Sequence, residues 1–426
     1  MYTIHADTII NDLDIHAVHQ HAGVLLSRLQ SAGVPKHSRV LIFKPQTAEY
    51  VCDLLALYGE YVAVVYDINS SVPELEHALA ADQVSAILTH SDMLIRLPET
   101  NLLVLTENSI TGEVPVNAYT NDTEVVVWHS SGSTGYPKCI PVTKHMLESN
   151  INITISVNAL SNTDRYLGIA PVWHSYGCSL VYAGARVGSN MWIEGFNAFR
   201  LNALFNQYRP TWYAGVPATH QIVLDRVDYT GLRFIRSGTG PMSVELFTAL
   251  EQKFQCPVIV VYGLAETGPV FSNLHQDRRP GSIGVPVNTQ AKIVEGELML
   301  QGDSIYQPGW FCTGDLAEVR DGYYYITGKI KEQINVAGVK VNPVLVEQLL
   351  LDQPGITDAA CFAVPDERRG EIVGVAIVGD PAVINSLPKK YRPGWLVTVD
   401  AIPRNYMSKI PRTQLYELFR DQGSAV

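Results

Sequence analysis

Between residues 39 and 105 the chain alternates short β-branched runs with helical stretches, and this alternation constrains its fold more than any other feature. Arg39-Val40-Leu41-Ile42-Phe43 reads as a strand, Tyr50 to Leu57 as a helix, and Val62-Ala63-Val64-Val65-Tyr66 as a second strand. A helix around Glu74 to Ala80 then leads into Ala86-Ile87-Leu88-Thr89. Strand, helix and strand in succession imply right-handed crossovers and a mostly parallel sheet. The pattern returns at Val125 to Trp128, Trp212 to Val216, Phe234 to Arg236 and Val258 to Tyr262, each followed by a Gly-containing loop. Ligands of such sheets sit at the strand ends.

From about residue 281 the texture changes to short strands and turns, as in Gly296 to Leu300 and Gly322 to Ile326, which reads as antiparallel sheet. A last segment of about a hundred residues follows Gly328-Lys329-Ile330-Lys331, with a helix at Val344 to Leu351 and a strand at Ala359 to Val364. A length of 426 residues fits two or three domains. The fold class expected is therefore α/β: a large N-terminal domain, 1–328, of stacked mostly parallel α/β subdomains plus a small β-rich subdomain, then a small α+β domain, 329–426.

Charge narrows the partners. With 31 Lys and Arg against 42 Asp and Glu the formal net charge is −11, so the molecule repels a polyphosphate backbone and nucleic acid is not an expected partner. The N-terminus lacks the basic start and apolar stretch of a secretory signal, and no run is long and apolar enough to span a bilayer. No membrane partner is expected, and a cytoplasmic location is. The six cysteines are widely spaced, without a Cys-x-x-Cys pair, and read as buried free thiols. His16, His19 and His21 have no further ligands at tight spacing, so a metal reading of them is set aside.

The chemistry concentrates in a few loops. Ser130-Ser131-Gly132-Ser133-Thr134-Gly135-Tyr136-Pro137-Lys138 follows the strand at 125–128, and its small residues let backbone N–H groups and hydroxyls converge on an anion. Pro137 separates Gly135 from Lys138, which disfavours an ordinary Walker loop. Tyr262-Gly263-Leu264-Ala265-Glu266-Thr267-Gly268 places a ring and a carboxylate on one loop; Thr313-Gly314-Asp315 offers a second carboxylate; Pro403 to Arg412 carries Lys409.

In this order the motifs resemble the adenylate-forming superfamily of acyl-CoA synthetases, aryl-acid ligases, nonribosomal peptide adenylation domains and firefly luciferase, and the resemblance runs from about Gly33 to Leu415. It implies that Ser131, Gly132, Ser133, Thr134, Gly135 and Lys138 hold the ATP phosphates, and that Thr134 and Glu266 place Mg²⁺, a hard ion suited to oxygen ligands. Gly238, Thr239, Gly240 and Tyr262 would frame adenine, with Asp315 and Lys329 at the ribose. Lys409 would stabilise the charge that develops when a carboxylate attacks the α-phosphate. Residues 381–426 hold seven Lys and Arg against three Asp and Glu, so only the match to the family's Pro-Arg-Asn-x-x-Gly-Lys-Ile pattern singles that lysine out.

The resemblance further implies that the C-terminal domain is mobile, pivoting at Lys331, with Gly338 lining a thiol tunnel. The acid pocket would be built from Trp173, His174, Tyr176, Gly215, Gly238 and Gly263, with His174 gating the thiol route. Trp212 and Tyr213 would either extend it as a flat aromatic slot or belong to the core. No Asp or Glu stands between Pro171 and Ile193, so the carboxylate that pairs the α-ammonium in amino-acid-activating relatives is missing.

The expected function is ATP-dependent activation of a small carboxylic acid, aryl or short acyl, then transfer to a thiol of coenzyme A or of a phosphopantetheinyl carrier protein acting in trans. Transfer to an amine, or a degenerate acyl- or nucleotide-binding regulator, is the alternative. Four departures from the family pattern bear on efficiency: Lys329 for arginine, Ala265 for Thr or Ser, Cys139 for the glycine after the loop lysine, and Ser408 for the glycine before Lys409.

Overall fold

The computed structural model describes residues 3–130, 137–404 and 410–426. By internal contacts the chain forms two compact units, residues 1–290 with 301–309, and residues 291–300 with 310–426.

The first unit holds two sheets. In the first, Leu103–Leu105, Ala86–Thr89, Arg39–Phe43, Val62–Val65 and Glu124–Ser130 are neighbours in that order and run parallel, and short antiparallel strands close both edges. Every residue of Arg39–Phe43, Val62–Val65 and Ala86–Thr89 is buried, as helices covering both faces require. The crossover helices start where capping side chains satisfy their first N–H groups. Thr47 accepts from Tyr50 ahead of Ala48–Leu57, and Ser71 and Glu74 form a reciprocal capping box ahead of Val72–Ala81.

The second sheet runs Asn190–Ile193, Arg165–Gly168, Trp212–Gly215, Phe234–Ser237 and Val258–Leu264 in parallel, and Gly268–Ser272 then turns back antiparallel. One large apolar core joins the sheets through Trp128, Ile140, Tyr182, Tyr166 and Trp212. A separate core behind the second sheet contains Phe205, Tyr213, Phe247 and Phe254. The stacked, mostly parallel architecture expected from the sequence is thus present, with the strand carboxyl ends carrying the loops of interest.

In the second unit Glu297–Gln301, Phe311–Arg320 and Tyr323–Lys329 form consecutive antiparallel ladders. The residues after 329 build a mixed sheet around the long hairpin of Ile356–Asp366 and Gly370–Gly379, packed by the helices Pro343–Leu351 and Arg412–Phe419. Among the described residues no helix is long and apolar enough to cross a membrane.

Candidate active site

Ser131, Gly132, Ser133, Thr134 and Gly135 lie outside the described residues, but the strands that lead into and out of their loop are in place. Glu124–Ser130 pairs antiparallel with Lys138–Thr143, setting His129 opposite Cys139 and Ser130 opposite Lys138. The root of this hairpin is pinned. His129 Nε2 lies 2.8 Å from Asp82 Oδ2 and Nδ1 lies 3.0 Å from the carbonyl of Val65, with the ring edge-on to Tyr66. Burial, reinforced by the Asp82 carboxylate, pushes the Cys139 thiol up to about 12, so it stays protonated at neutral pH.

Ser130 also donates its hydroxyl to Glu266 across 3.0 Å. Glu266 sits in a tight reversal between Val258–Leu264 and Gly268–Ser272, held by Leu264 N–H to Thr267 Oγ1 at 2.9 Å and Thr267 N–H to the Leu264 carbonyl at 3.1 Å. Gly263 is obligatory there, since a Cβ would stand 1.9 Å from the carbonyl oxygen of Gly268. Tyr262 packs its ring against Phe271 at 74°, and Lys138 places its ammonium 5.9 Å from the Tyr306 ring centre.

The segments expected to hold the acid meet at the next strand end. Phe234–Ser237 runs into Gly238-Thr239-Gly240, where Thr239 adopts φ +68 and Gly238 N–H donates to the Gly215 carbonyl at 3.2 Å. A Cβ on Gly238 would lie 2.8 Å from the Tyr176 ring. Tyr176 lies in the first turn of the helix Ser175–Val187, which follows Trp173 and His174, and donates its hydroxyl to the Arg236 carbonyl at 3.2 Å. Gln46, which sequence reasoning missed, sets this segment against the strands: its amide donates to the carbonyls of Gly168 and Glu194 and accepts from Val172 N–H. No local pattern marks it.

Trp212 and Tyr213 are core residues. Trp212 stacks on Tyr166 at 4.1 Å and near Phe234 at 5.3 Å, while Tyr213 hydrogen-bonds His220 Nδ1 at 2.9 Å in the other core. Their place is dictated by strand alternation in a sheet covered on both sides. Sequence reasoning also passed over Arg236, the charged residue of the fully buried strand Phe234–Ser237; it is 1% exposed, and its guanidinium stands 5.0 Å from the Tyr176 ring centre. Burial pulls its pKa below the usual arginine value, although the neighbouring tyrosines oppose the shift.

In the second unit Asp315 is buried and faces Lys329 across the ladder, Nζ to Oδ1 2.5 Å. Thr313 and Gly314, at φ +72, shape the approach; Thr313 Oγ1 donates to the Leu298 carbonyl at 2.7 Å and accepts from Asp315 N–H at 3.1 Å. Lys331 lies exposed in the short 3₁₀ turn Ile330–Glu332 that follows. Gly338, at φ +87, sits with Ala337, at φ +49, in a two-residue hairpin turn, where positive φ at both central positions favours glycine whatever else the residue does. Lys409 lies outside the described residues, but both flanks are anchored. Arg404 pairs with both oxygens of Asp358 at 2.9 and 3.1 Å. Arg412 reaches Glu332 at 2.9 Å and forks onto both oxygens of Glu347.

A family model described as AMP-binding enzyme matches residues 12–312, well over half of the chain. The chain belongs to the AMP-binding enzyme family. Within that family it is 28% identical to a probable CoA ligase, CCL9, of Humulus lupulus, over 93% of this chain and 90% of the relative. It is likewise 28% identical to an oxalate–CoA ligase of Arabidopsis thaliana, over 83% of this chain and 80% of the relative. Its fold matches ATP-bound MatB from Rhodopseudomonas palustris with a TM-score of 0.84 at 19% identity, covering 97% of this chain and 96% of that one. The adenylate-forming resemblance and the α/β fold class stand, and by class the AMP-binding chain is an AMP-forming acid–thiol ligase.

Proposed function

We propose that this enzyme activates a small carboxylic acid with ATP and passes the acyl group to the thiol of coenzyme A. A carboxylate oxygen attacks the α-phosphorus, the bond from that phosphorus to the bridging oxygen breaks, and pyrophosphate leaves with the electron pair. A thiolate, its proton already lost to solvent, then attacks the acyl carbon; the carbon–oxygen bond breaks and AMP departs.

The observation that carries this reading is the bond from Ser130 to Glu266, which ties the root of the anion-binding hairpin to a carboxylate. Glu266 offers a hard oxygen donor beside a phosphate loop, which fits Mg²⁺, an ion usually held by one or two carboxylates and by substrate phosphates. Glu266 and Thr134 would hold it, and when bound it supplies charge neutralisation for the triphosphate. Ser131 to Gly135 and Lys138 cradle the phosphates, and Gly238 to Gly240 with Tyr262 take the adenine. Asp315 accepts from the ribose hydroxyls, and Lys329 neutralises it as a point charge rather than through a planar fork. Lys409 supplies the charge that grows more valuable as the transition state forms.

Trp173, His174, Tyr176, Gly215 and Gly263 form the acid pocket in this reading. Residues 329–426 reorient about Lys331 between the two half-reactions, bringing Gly338 to the thiol's path. Coenzyme A is favoured over a carrier protein because the similar proteins of hop and Arabidopsis are named as CoA ligases. Six free cysteines suit a reducing cytoplasm.

The test is product analysis with ATP, Mg²⁺, a panel of short and aryl acids, and either coenzyme A, a phosphopantetheinylated carrier or an amine. Acyl-CoA and AMP in equal amounts support the reading. Acyl-adenylate discharged only onto an amine or a carrier overturns its acceptor.

A further inference from the structure

Arg236 is buried beside Tyr166 and Tyr176 without a counter-charge. It is 1% exposed, its Nε has no hydrogen-bond partner, and among the described residues no carboxylate pairs with it. The other large buried cations of the first unit are neutralised: Arg39 by Glu124 at 2.9 Å, and Lys44 by Asp53 at 2.7 Å with Glu49 beside it. A buried charge left unpaired is strongly unfavourable, and the face of Tyr176, 5.0 Å away, offsets only part of that cost.

Its position is informative. Arg236 lies two residues before Gly238, on the strand whose end the acid is read to reach, and beneath the Tyr176 ring that a Gly238 Cβ would strike. Thr239 Oγ1, in the loop that follows this strand, is likewise buried without a partner. Buried donors are normally satisfied, so an unpartnered guanidinium Nε and hydroxyl at this strand end mark a place for a polar ligand.

Resting on the acid-activating reading above, we propose that Arg236 determines specificity by pairing with a second anionic group of the acid, and that the preferred substrate is a short dicarboxylate. One carboxylate reaches the α-phosphate; the other meets the guanidinium, whose planar fork suits a carboxylate bidentately. Tyr176 holds the strand backbone at that point through its hydroxyl. A short acid is implied because the Tyr176 ring and Val261 already lie within 3.2 Å of where a Gly238 Cβ would be, which leaves little width at the strand end.

The test is acid-dependent ATP–pyrophosphate exchange with unbranched dicarboxylates of two to five carbons, the monocarboxylates of equal length, and benzoate. It is run on the wild type, Arg236→Met and Arg236→Lys. The expected result is at least a tenfold wild-type preference in kcat/KM for one dicarboxylate over its monocarboxylate counterpart. Arg236→Met should lose at least a hundredfold on that dicarboxylate while keeping or gaining activity on the monocarboxylate, and Arg236→Lys should recover part of the loss. Were Arg236 structural, or paired with the reacting carboxylate itself, the variant would depress all acids by the same factor, and that result overturns the proposal. The wild-type panel decides even if Arg236→Met fails to fold. Exchange confined to monocarboxylic or aryl acids overturns this proposal alone, whereas no exchange with any acid overturns the adenylation reading and this proposal with it.

Discussion

Ser130 and Glu266, 136 positions apart in the chain, are joined by a 3.0 Å hydrogen bond from hydroxyl to carboxylate. The bond links the last residue of the strand Glu124–Ser130 to the reversal after Val258–Leu264, so segments from different sheets are set with respect to each other. A hydrogen bond to a charged group contributes roughly 1.5–3 kcal/mol. Ser130→Ala is therefore expected to lower kcat/KM for ATP by about ten- to a hundredfold and to raise the Mg²⁺ concentration needed for half-maximal rate. Magnesium titrations at fixed ATP check this; an unchanged titration would detach Glu266 from the metal.

Asp315 and Lys329 pair at 2.5 Å within one ladder. Asp315→Asn keeps the shape but exchanges an acceptor-only group for one that also donates, which would disrupt the proposed recognition of two ribose hydroxyls. The expected outcome is a KM for ATP raised about tenfold or more with the thermal midpoint little changed. Equal KM values for the two proteins would remove Asp315 from the nucleotide site.

Arg412 is anchored by Glu332 and Glu347 three residues beyond Lys409, and Arg404 by Asp358 five residues before it. Truncating one partner of a largely buried ion pair strands the other, at a cost of about 3–5 kcal/mol. Arg412→Ala is expected to destabilise the second unit by about that much in urea unfolding, and Arg404→Ala, whose pair is more exposed, by less than about 1 kcal/mol. Equal small effects would mean that Glu347 finds another partner.

His220 is buried in the core behind the second sheet, where desolvation lowers its pKa to about 3. The unfolded imidazole titrates near ~6.5. The folded form therefore resists protonation, and the stability it contributes is full above pH ~6.5 and lost progressively as pH falls toward 3. The expected loss reaches at most ~5 kcal/mol over that window. Denaturation midpoints measured from pH 7 to 4 should flatten in His220→Gln; an identical slope in both proteins would assign the acid sensitivity elsewhere.

Much of the fold was legible because the strands of a doubly covered sheet are uninterrupted apolar runs, as at Arg39–Phe43, and because helix starts carry capping side chains such as Thr47 and Ser71. What escaped depends on distant partners. Gln46 matters through carbonyls more than a hundred residues away, and the role of Arg236 comes from what is missing around it in three dimensions. Trp212 could be read as pocket or core until the Tyr166 stack placed it. Of the long hairpin from Ile356 to Gly379 the sequence reading found only Ala359 to Val364 as strand and missed its partner Gly370–Gly379, which is buried from Val373 to Ile377.

The most direct test of the central claim is acid-dependent ATP–pyrophosphate exchange by the wild type beside Lys409→Ala. Isotope exchange that requires one class of small acid, and falls by at least a hundredfold in the variant with its thermal midpoint unchanged, is the predicted result. Exchange of equal rate in the two proteins, or none with any acid, would contradict an acyl-adenylate-forming enzyme that works through this lysine.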